Sequence, residues 1–298
     1  MIRKLQDLVD LAQENPPTKV AVAAAAHRLV LQSLQRAATR GLIVPVLVGR
    51  EEDIREQAQA VGWDLAGVQI VSTLTNKDAA KVAVELVREG KAQVLMKGYL
   101  HTDEMLHAVL QPGAGLRTDR LLSHVFVHEV PTYHKLLLIT DAAININPGI
   151  AEKAAITQNA VDLARRLGVE VPKVAALSSI ETINANIPST VHAACLSKMA
   201  ERGQIKGAVV DGPLAFDNAI SAEAARDKGI SSPVSGDIDV VVVPDLDAGN
   251  ILSKNLEYLA SAKMAGIVMG ATAPVVLTSR SDPSLARVYS LALAGLLC

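Results

Sequence analysis

VQIVSTLTNKDAAKVAVELVREGKAQVLMKGYLHTDEML, residues 68–106, is the stretch that decides how the chain folds. Two short apolar runs, VQIVS (68–72) and QVLMK (93–97), flank DAAKVAVELVREG (78–90), where Ala, Val and Leu recur with helical period. Strand, helix and strand in that order is the pattern of parallel strands covered by helices on both faces. The same alternation runs outward in both directions. Further strands are expected at KVAVAAA (19–25), LIVPVLV (42–48), SHVFVHEV (123–130), KLLLIT (135–140), KVAALS (173–178), KGAVVD (206–211), DVVVVP (239–244) and PVVLTS (274–279). Amphipathic segments such as AEKAAITQNAVDLARRLG (151–168) and LDAGNILSKNLEYLASA (246–262) lie between them. Residues 123–140 predict a local antiparallel pair, because too few residues separate the two runs for a crossover helix. The fold class is α/β, with mainly parallel sheets and flanking helices.

At 298 residues the chain is long enough for about two domains or one large barrel. Its 29 Lys plus Arg against 31 Asp plus Glu leave a net charge of -2, so no cationic surplus exists for wrapping nucleic acid, and any anion must be held locally. Half of the residues are hydrophobic, yet no apolar run reaches the roughly 18 residues a bilayer span needs, which excludes a membrane protein. MIRKLQDLVDLAQENPPTK (1–19) reads as a short amphipathic helix rather than a secretory signal, and a cytoplasmic location is expected. Cys195 and Cys298 are too few for a disulfide framework or a thiolate metal site.

In open α/β sheets, ligands gather beyond the carboxyl ends of the strands, where helix N-termini present free N–H groups. Those ends read KGYLHT (97–102), TDAAIN (140–145), SS (178–179), DGP (211–213), PDLDAGN (244–250) and TSRSDP (278–283). Each such residue could be a helix cap; together they predict a polar cleft.

Several chemistries fail on spacing. Neither G-x-x-x-x-G-K-[ST] nor G-x-G-x-x-G follows a strand, which removes the usual ATP and dinucleotide loops, and no G-x-S-x-G elbow occurs. His124 and His128 would share a strand face but lack a third ligand; a half-buried face accounts for them better than a metal.

APVVLTSRSDPSLARVYSLALAGLL (273–297) is the sharpest signal. An apolar strand delivers Thr278, Ser279 and Arg280 to a helix start where Asp282 is placed to cap and Pro283 to be the first helical residue. Arg280 either adds a guanidinium fork to backbone N–H groups, an arrangement that binds phosphate or a developing oxyanion, or pairs with an acidic neighbour at the surface. MKGYLHTDEML (96–106) puts Lys97 at a strand end, Gly98 where backbone can approach closely and Thr102 where it can cap a helix beginning with Asp103 and Glu104; Lys97 reads equally well as snorkelling from a strand edge. GLRTDRLLSHVF (115–126) adds Arg117, Arg120 and Ser123, and convergence of two or three cations would suit a phosphate-bearing substrate.

From VAVAAAA (20–26) to the last helix the chain resembles the phosphate acetyl/butyryltransferase family. The resemblance is carried by MKGYLHTDEML, GLRTDRLLSHVF, LLLITDAAININP (136–148), IPSTVHAACLSKMAERGQIKGAVVDGPLAFDNAIS (187–221), VVVPDLDAGNIL (241–252) and APVVLTSRSD. It implies a two-domain subunit with the active site in the interdomain cleft, residues 1–145 plus 265–298 forming one domain and 146–264 the other. It also implies interconversion of an acyl-CoA plus phosphate with an acyl phosphate plus CoA, without a bound cofactor or metal, in a homo-oligomer. By match to the family's Ser-Arg pair, Ser279 and Arg280 hold the reacting acyl phosphate or oxyanion. Lys97 stands where acetyl-specific relatives carry arginine, so its charge transfers but not a bidentate fork. His101, Thr102, Arg120 and Ser123 belong to matching segments expected to bind substrate. Asp211, Asp245 and Asn250 lie in matching loops that either contact CoA or only fix the loops.

The resemblance weakens at the base. Acetyl-specific relatives carry a carboxylate several residues past the Ser-Arg pair, where this chain reads Pro283-Ser284-Leu285-Ala286, so Asp282 is the nearest acid and its capping role competes. TSRSD, GLRTDR and SKMAERGQIKG favour butyryl-CoA, whereas HTDE and ITDAAINI resemble acetyltransferases. A decarboxylating-dehydrogenase-like oxidoreductase and a non-catalytic acyl-CoA-binding relative are the alternatives from other classes.

Overall fold

The computed structural model describes residues 2–279 and 282–298. Along the chain run α1 (Leu5–Gln13), β1 (Thr18–Ala23), α2 (Arg28–Thr39), β2 (Ile43–Gly49), α3 (Glu51–Ala60), β3 (Gln69–Ser72), α4 (Asn76–Arg88), β4 (Val94–Lys97) and α5 (Thr102–Val109). Next come β5 (Ser123–Glu129), β6 (Leu137–Thr140), α6 (Ile150–Arg166), β7 (Lys173–Leu177), α7 (Pro188–Glu201), β8 (Val209–Leu214), α8 (Phe216–Ile220), α9 (Ala222–Asp227), β9 (Val240–Val242) and α10 (Leu246–Tyr258). The last elements are β10 (Lys263–Met269), β11 (Val275–Val276) and α11 (Ser284–Gly295).

Contacts divide the chain into two compact units. The first comprises Leu5–Arg120 with Ala265–Cys298, the second Leu121–Met264 with the residues before Leu5. Residues 121–145 lie in the unit of 146–264, and the chain re-enters the first unit at Ala265. The reason is strand pairing: β5 and β6 form the expected antiparallel pair, and β6 lies parallel to β9, with Leu138 opposite Val240.

In the first unit the strands lie in the order β3-β2-β1-β4-β11-β10. The four N-terminal strands are parallel, and β4 is fully buried, so its apolar run needs no polar alternation. Over the sheet, α4 presents Ala79, Ala80, Ala83, Val84, Leu86 and Val87, and Thr75 caps it by accepting the Asp78 N–H at 3.1 Å. Because β2 lies on one side of β1 and β4 on the other, the chain reverses direction between β1 and β4, where open α/β sheets open a crevice at the strands' carboxyl ends.

The second unit has the order β5-β6-β9-β7-β8, with β6, β9, β7 and β8 parallel. Leu137, Ile139, Ala175, Leu177, Val241 and Val243 form its core. Burial corrects the half-exposed strand face expected around His124 and His128, because Val125, Val127 and both histidines are all enclosed. Phe126 packs edge-on against His124, ring centroids 4.3 Å apart.

Other corrections concern boundaries. KMAGIVM (263–269), not expected as a strand, is β10 and pairs antiparallel with β11. β11 is only Val275–Val276 instead of six residues, since the chain leaves the ladder at Leu277, and β8 begins at Val209 rather than at 206. Among the described residues no helix is long and apolar enough to cross a membrane.

Candidate active site

The reversal point of the first unit is built from two parallel exits. Ala23 of β1 lies opposite Lys97 of β4, and Val276 of β11 lies opposite Met96. Lys97 and the residues that follow Val276 therefore leave the sheet at the same edge. Lys97 is only 3% exposed, and its Nζ donates to the Leu100 carbonyl at 3.2 Å, which folds the loop around the cation. Gly98 is required there: a Cβ would lie 2.3 Å from the Ala24 carbonyl oxygen and 2.4 Å from that of Ala23. The N–H groups of Gly98 and Tyr99 donate to those same two carbonyls, at 2.8 Å each.

Tyr99 stacks on His27, ring centroids 4.2 Å apart and ring planes nearly parallel. His27 precedes α2, whose first turn holds no acidic residue and starts with Arg28. A helix N-terminus without a carboxylate cap leaves its N–H groups and partial positive charge toward the crevice. The sequence reading passed over His27 and Arg28; the missing acid in that first turn was the available signal, but the reversal point that gives it meaning depends on strand order. Arg50 and its ion-pair partner Asp53, with Gly49, Thr75, Asn76 and Tyr99 among others, line a cavity of about 130 Å³ at this edge.

His101 occupies the cap position of α5, and Thr102 is its first helical residue, which corrects the expected Thr102 cap. The Glu104 carboxylate accepts the His101 N–H at 3.2 Å. Arg120 is exposed on a segment tied to the turn before β11: Thr118 Oγ1 donates to the Gly270 carbonyl at 2.6 Å and accepts the Arg120 N–H at 3.0 Å. That segment is anchored where β11 is entered, whereas Ser279 follows where it is left.

Beyond β11, Thr278 is buried and Ser279 exposed. Arg280 lies outside the described residues. Asp282 is not the N-cap of α11; Pro283 holds that position. The Asp282 carboxylate instead turns back and accepts the Ser279 N–H at 2.7 Å. Arg287, 2% exposed on α11, donates from Nη1 to the Asp282 carbonyl at 2.7 Å and from Nη2 to the Ser279 carbonyl at 2.8 Å. Burial pushes its guanidinium below the ordinary arginine value while Asp282 opposes the shift. Inside an apolar helix pattern, Arg287 gave no sequence signal beyond being charged where a core face was expected.

In the second unit the strand-exit residues are engaged locally. Asp141 accepts backbone N–H groups from Ala143, Ile144 and Asn145 at 2.9, 3.1 and 3.3 Å and the Asn145 amide at 2.6 Å. Asp211 accepts the Gly212 N–H at 2.8 Å, and Asp245 caps α10 through the Ala248 N–H at 2.9 Å. Asn250 donates to the Ala142 carbonyl at 3.3 Å. Ser123 is fully buried, its hydroxyl receiving the Asn159 amide at 2.8 Å. Lys153, 4% exposed, lies 3.1 Å from His192 Nδ1; burial lowers its pKa and Asp245 raises it. Among the described residues no group of three or more His, Cys, Asp or Glu is arranged to hold a metal ion.

Chemically, the first unit's exits offer an enclosed ammonium, an uncapped helix start and an exposed serine whose backbone is fixed on both sides. Such groups stabilise negative oxygen without first having to reorganise. Residues 71–294 match the family described as Phosphate acetyl/butaryl transferase. The chain is 50% identical over 293 residues to a phosphate acetyltransferase of Rhizobium meliloti, covering 98% of this chain and 93% of that protein. It is 43% identical over 296 residues to a phosphate butyryltransferase of Clostridium acetobutylicum, covering 99% and 98%. Among solved structures, a branched-chain phosphotransacylase from Enterococcus faecalis superposes with a TM-score of 0.79 at 34% identity, over 93% of this chain and 97% of that one. The chain belongs to the phosphate acetyl/butaryl transferase family of phosphate acyltransferases.

Proposed function

We propose that the chain reversibly converts a short-chain acyl-CoA and phosphate into an acyl phosphate and CoA, with Ser279, Arg280 and Lys97 holding the charge that develops. A phosphate oxygen attacks the thioester carbonyl, the tetrahedral oxyanion collapses, the C–S bond breaks, and CoA leaves as thiolate before taking a proton. Placing both substrates beside fixed donors accounts for the acceleration without a covalent acyl-enzyme. What supports this reading most is the pairing of β4 with β11, which sends Lys97 and Ser279 out of one sheet edge.

The held N–H of Ser279 favours Asp282 as a backbone anchor over Asp282 as the base. A thiol of pKa about 8.5 is partly ionised at neutral pH, so binding that favours thiolate reduces the need for a base. His101, Thr102 and Arg120 extend the anion site in this reading. Asp211, Asp245 and Asn250 act by holding their loops, and Ser123 acts by fixing α6 against β5 through the Asn159 amide. The enzyme works in the cytoplasm, uses no resident cofactor or metal, and forms a homo-oligomer. For the last, Ile251, Tyr258 and Leu259, exposed by 66, 64 and 80% along and just past α10, supply an apolar stripe for a second copy.

Butyryl-CoA is the preferred acyl donor on the motifs TSRSD and GLRTDR. Acetyl-CoA is the second reading, favoured by the higher identity to the Rhizobium acetyltransferase. The test is phosphate-dependent thiol release from acetyl-, propionyl- and butyryl-CoA. The highest kcat/KM is expected with butyryl-CoA; a maximum with acetyl-CoA selects the second reading, and release that ignores phosphate removes both.

A further inference from the structure

We infer that Arg287 is a positioning residue that sets the Ser279 hydroxyl for reaction by holding the backbone carbonyls of Ser279 and Asp282 beyond β11. The inference rests on the acyl-transfer reading and goes beyond it, since Arg287 is buried in α11 and acts through the backbone of other residues. One planar guanidinium spans the carbonyls of Ser279 and Asp282, eight and five residues away in sequence. The Asp282 carboxylate takes the Ser279 N–H at 2.7 Å. Both backbone groups of Ser279 are thereby fixed from within the protein, although the residue itself is exposed.

Stability alone does not call for this arrangement. The Ser279 carbonyl already accepts the Asp282 N–H at 3.3 Å and could take water as a second donor, whereas enclosing a guanidinium carries a desolvation penalty before its bonds are counted. Water would satisfy the carbonyl without fixing its direction. A rigid fork fixes both carbonyls at once, and so fixes the backbone from which the Ser279 hydroxyl projects. Lysine, a point charge with a different reach, cannot bridge two carbonyls in one plane.

The test compares wild type, Arg287→Lys, Arg287→Gln, Ser279→Ala and Ser279→Ala/Arg287→Lys in phosphate-dependent CoA release, assayed well below each melting temperature. Arg287→Lys is expected to lower kcat by roughly 10- to 100-fold, with KM for phosphate and acyl-CoA changed less than about 3-fold, because a misplaced group costs rate rather than binding. In the Ser279→Ala background the same substitution should cost less than about 3-fold, since the residue it positions is gone. Arg287→Gln, which retains a neutral donor, should fall with Arg287→Lys and thereby separates fork geometry from charge. If Arg287→Lys and Arg287→Gln melt lower but turn over at the wild-type rate, Arg287 is purely structural and the inference is overturned. Full multiplicative loss in the double variant overturns it as well. A wild-type protein without phosphate-dependent release removes the acyl-transfer reading itself, an outcome distinct from either.

Discussion

The strand exits of the two units carry similar polar letters and use them in opposite ways. In the second unit, Asp141, Asp211 and Asp245 all turn their carboxylates onto backbone N–H groups within three or four residues. In the first unit, α2 starts without an acid, Lys97 is enclosed at a strand end, and Ser279 faces outward with its backbone clamped. Carboxylates consumed by local loops build architecture; under the proposed mechanism the cation and hydroxyl at the reversal point of the first unit carry the chemistry, while the second unit's enclosed Lys153 lies against His192. The contrast assigns loss of activity to the first unit and loss of stability to the second.

The largest effect is expected in the first. Arg280→Ala should lower kcat by roughly 100-fold or more, about 3 kcal/mol, without a change in melting temperature. Unchanged turnover would take Arg280 out of the mechanism and erase the contrast. In the second unit, Asp141→Ala strips an acceptor from three backbone N–H groups and should lower stability by about 3 kcal/mol in urea titrations. The folded fraction should retain kcat; a collapse of kcat at wild-type stability would move chemistry into that unit.

A pH titration sharpens the same point. Burial holds His128 on β5 down at about 4, with Lys254 and His124 pushing the same way and the Ser253 backbone opposing. Its folded value lies below the unfolded one of about 6.5, so the unfolded state binds the extra proton between them. Stability from neutral His128 is complete above pH 6.5 and is lost as pH falls toward 4, about 2 kcal/mol by pH 5. His128→Leu should flatten that dependence; a variant with the wild-type pH profile would assign the loss to other groups. The smallest change is expected for Asp282→Asn, which keeps an oxygen acceptor for the Ser279 N–H and should retain kcat within about 3-fold. A collapse of kcat with unaltered melting would make Asp282 the base.

Much of this was legible in residue order. Apolar runs such as VLMK (94–97) and the helical period of 78–90 report burial directly, so strands and helices were found with small boundary errors. What stayed hidden depends on neighbours distant in sequence. KMAGIVM (263–269) has a charge, a glycine and a mixed pattern, and becomes a strand because Val268 finds Val275. Grouping of 121–145 with the second unit follows from pairing of β6 with β9, a hundred residues on. At the site, Lys97 and Ser279 announced themselves as polar ends of apolar runs. Asp282 was misread as a cap because local rules place it before a helix, and only the turn-back to Ser279 reveals its use. Arg287 was invisible, since its partners are carbonyls, which every residue possesses.

The measurement that bears most directly on the account is 31P NMR of acyl-CoA and inorganic phosphate with the wild-type chain and with Arg280→Ala, thiol being titrated in parallel. Wild type should produce one acyl phosphate for each CoA released, and the variant should form acyl phosphate at least about 100-fold more slowly. Thiol release without an acyl phosphate resonance, or a variant that makes acyl phosphate at the wild-type rate, would contradict it.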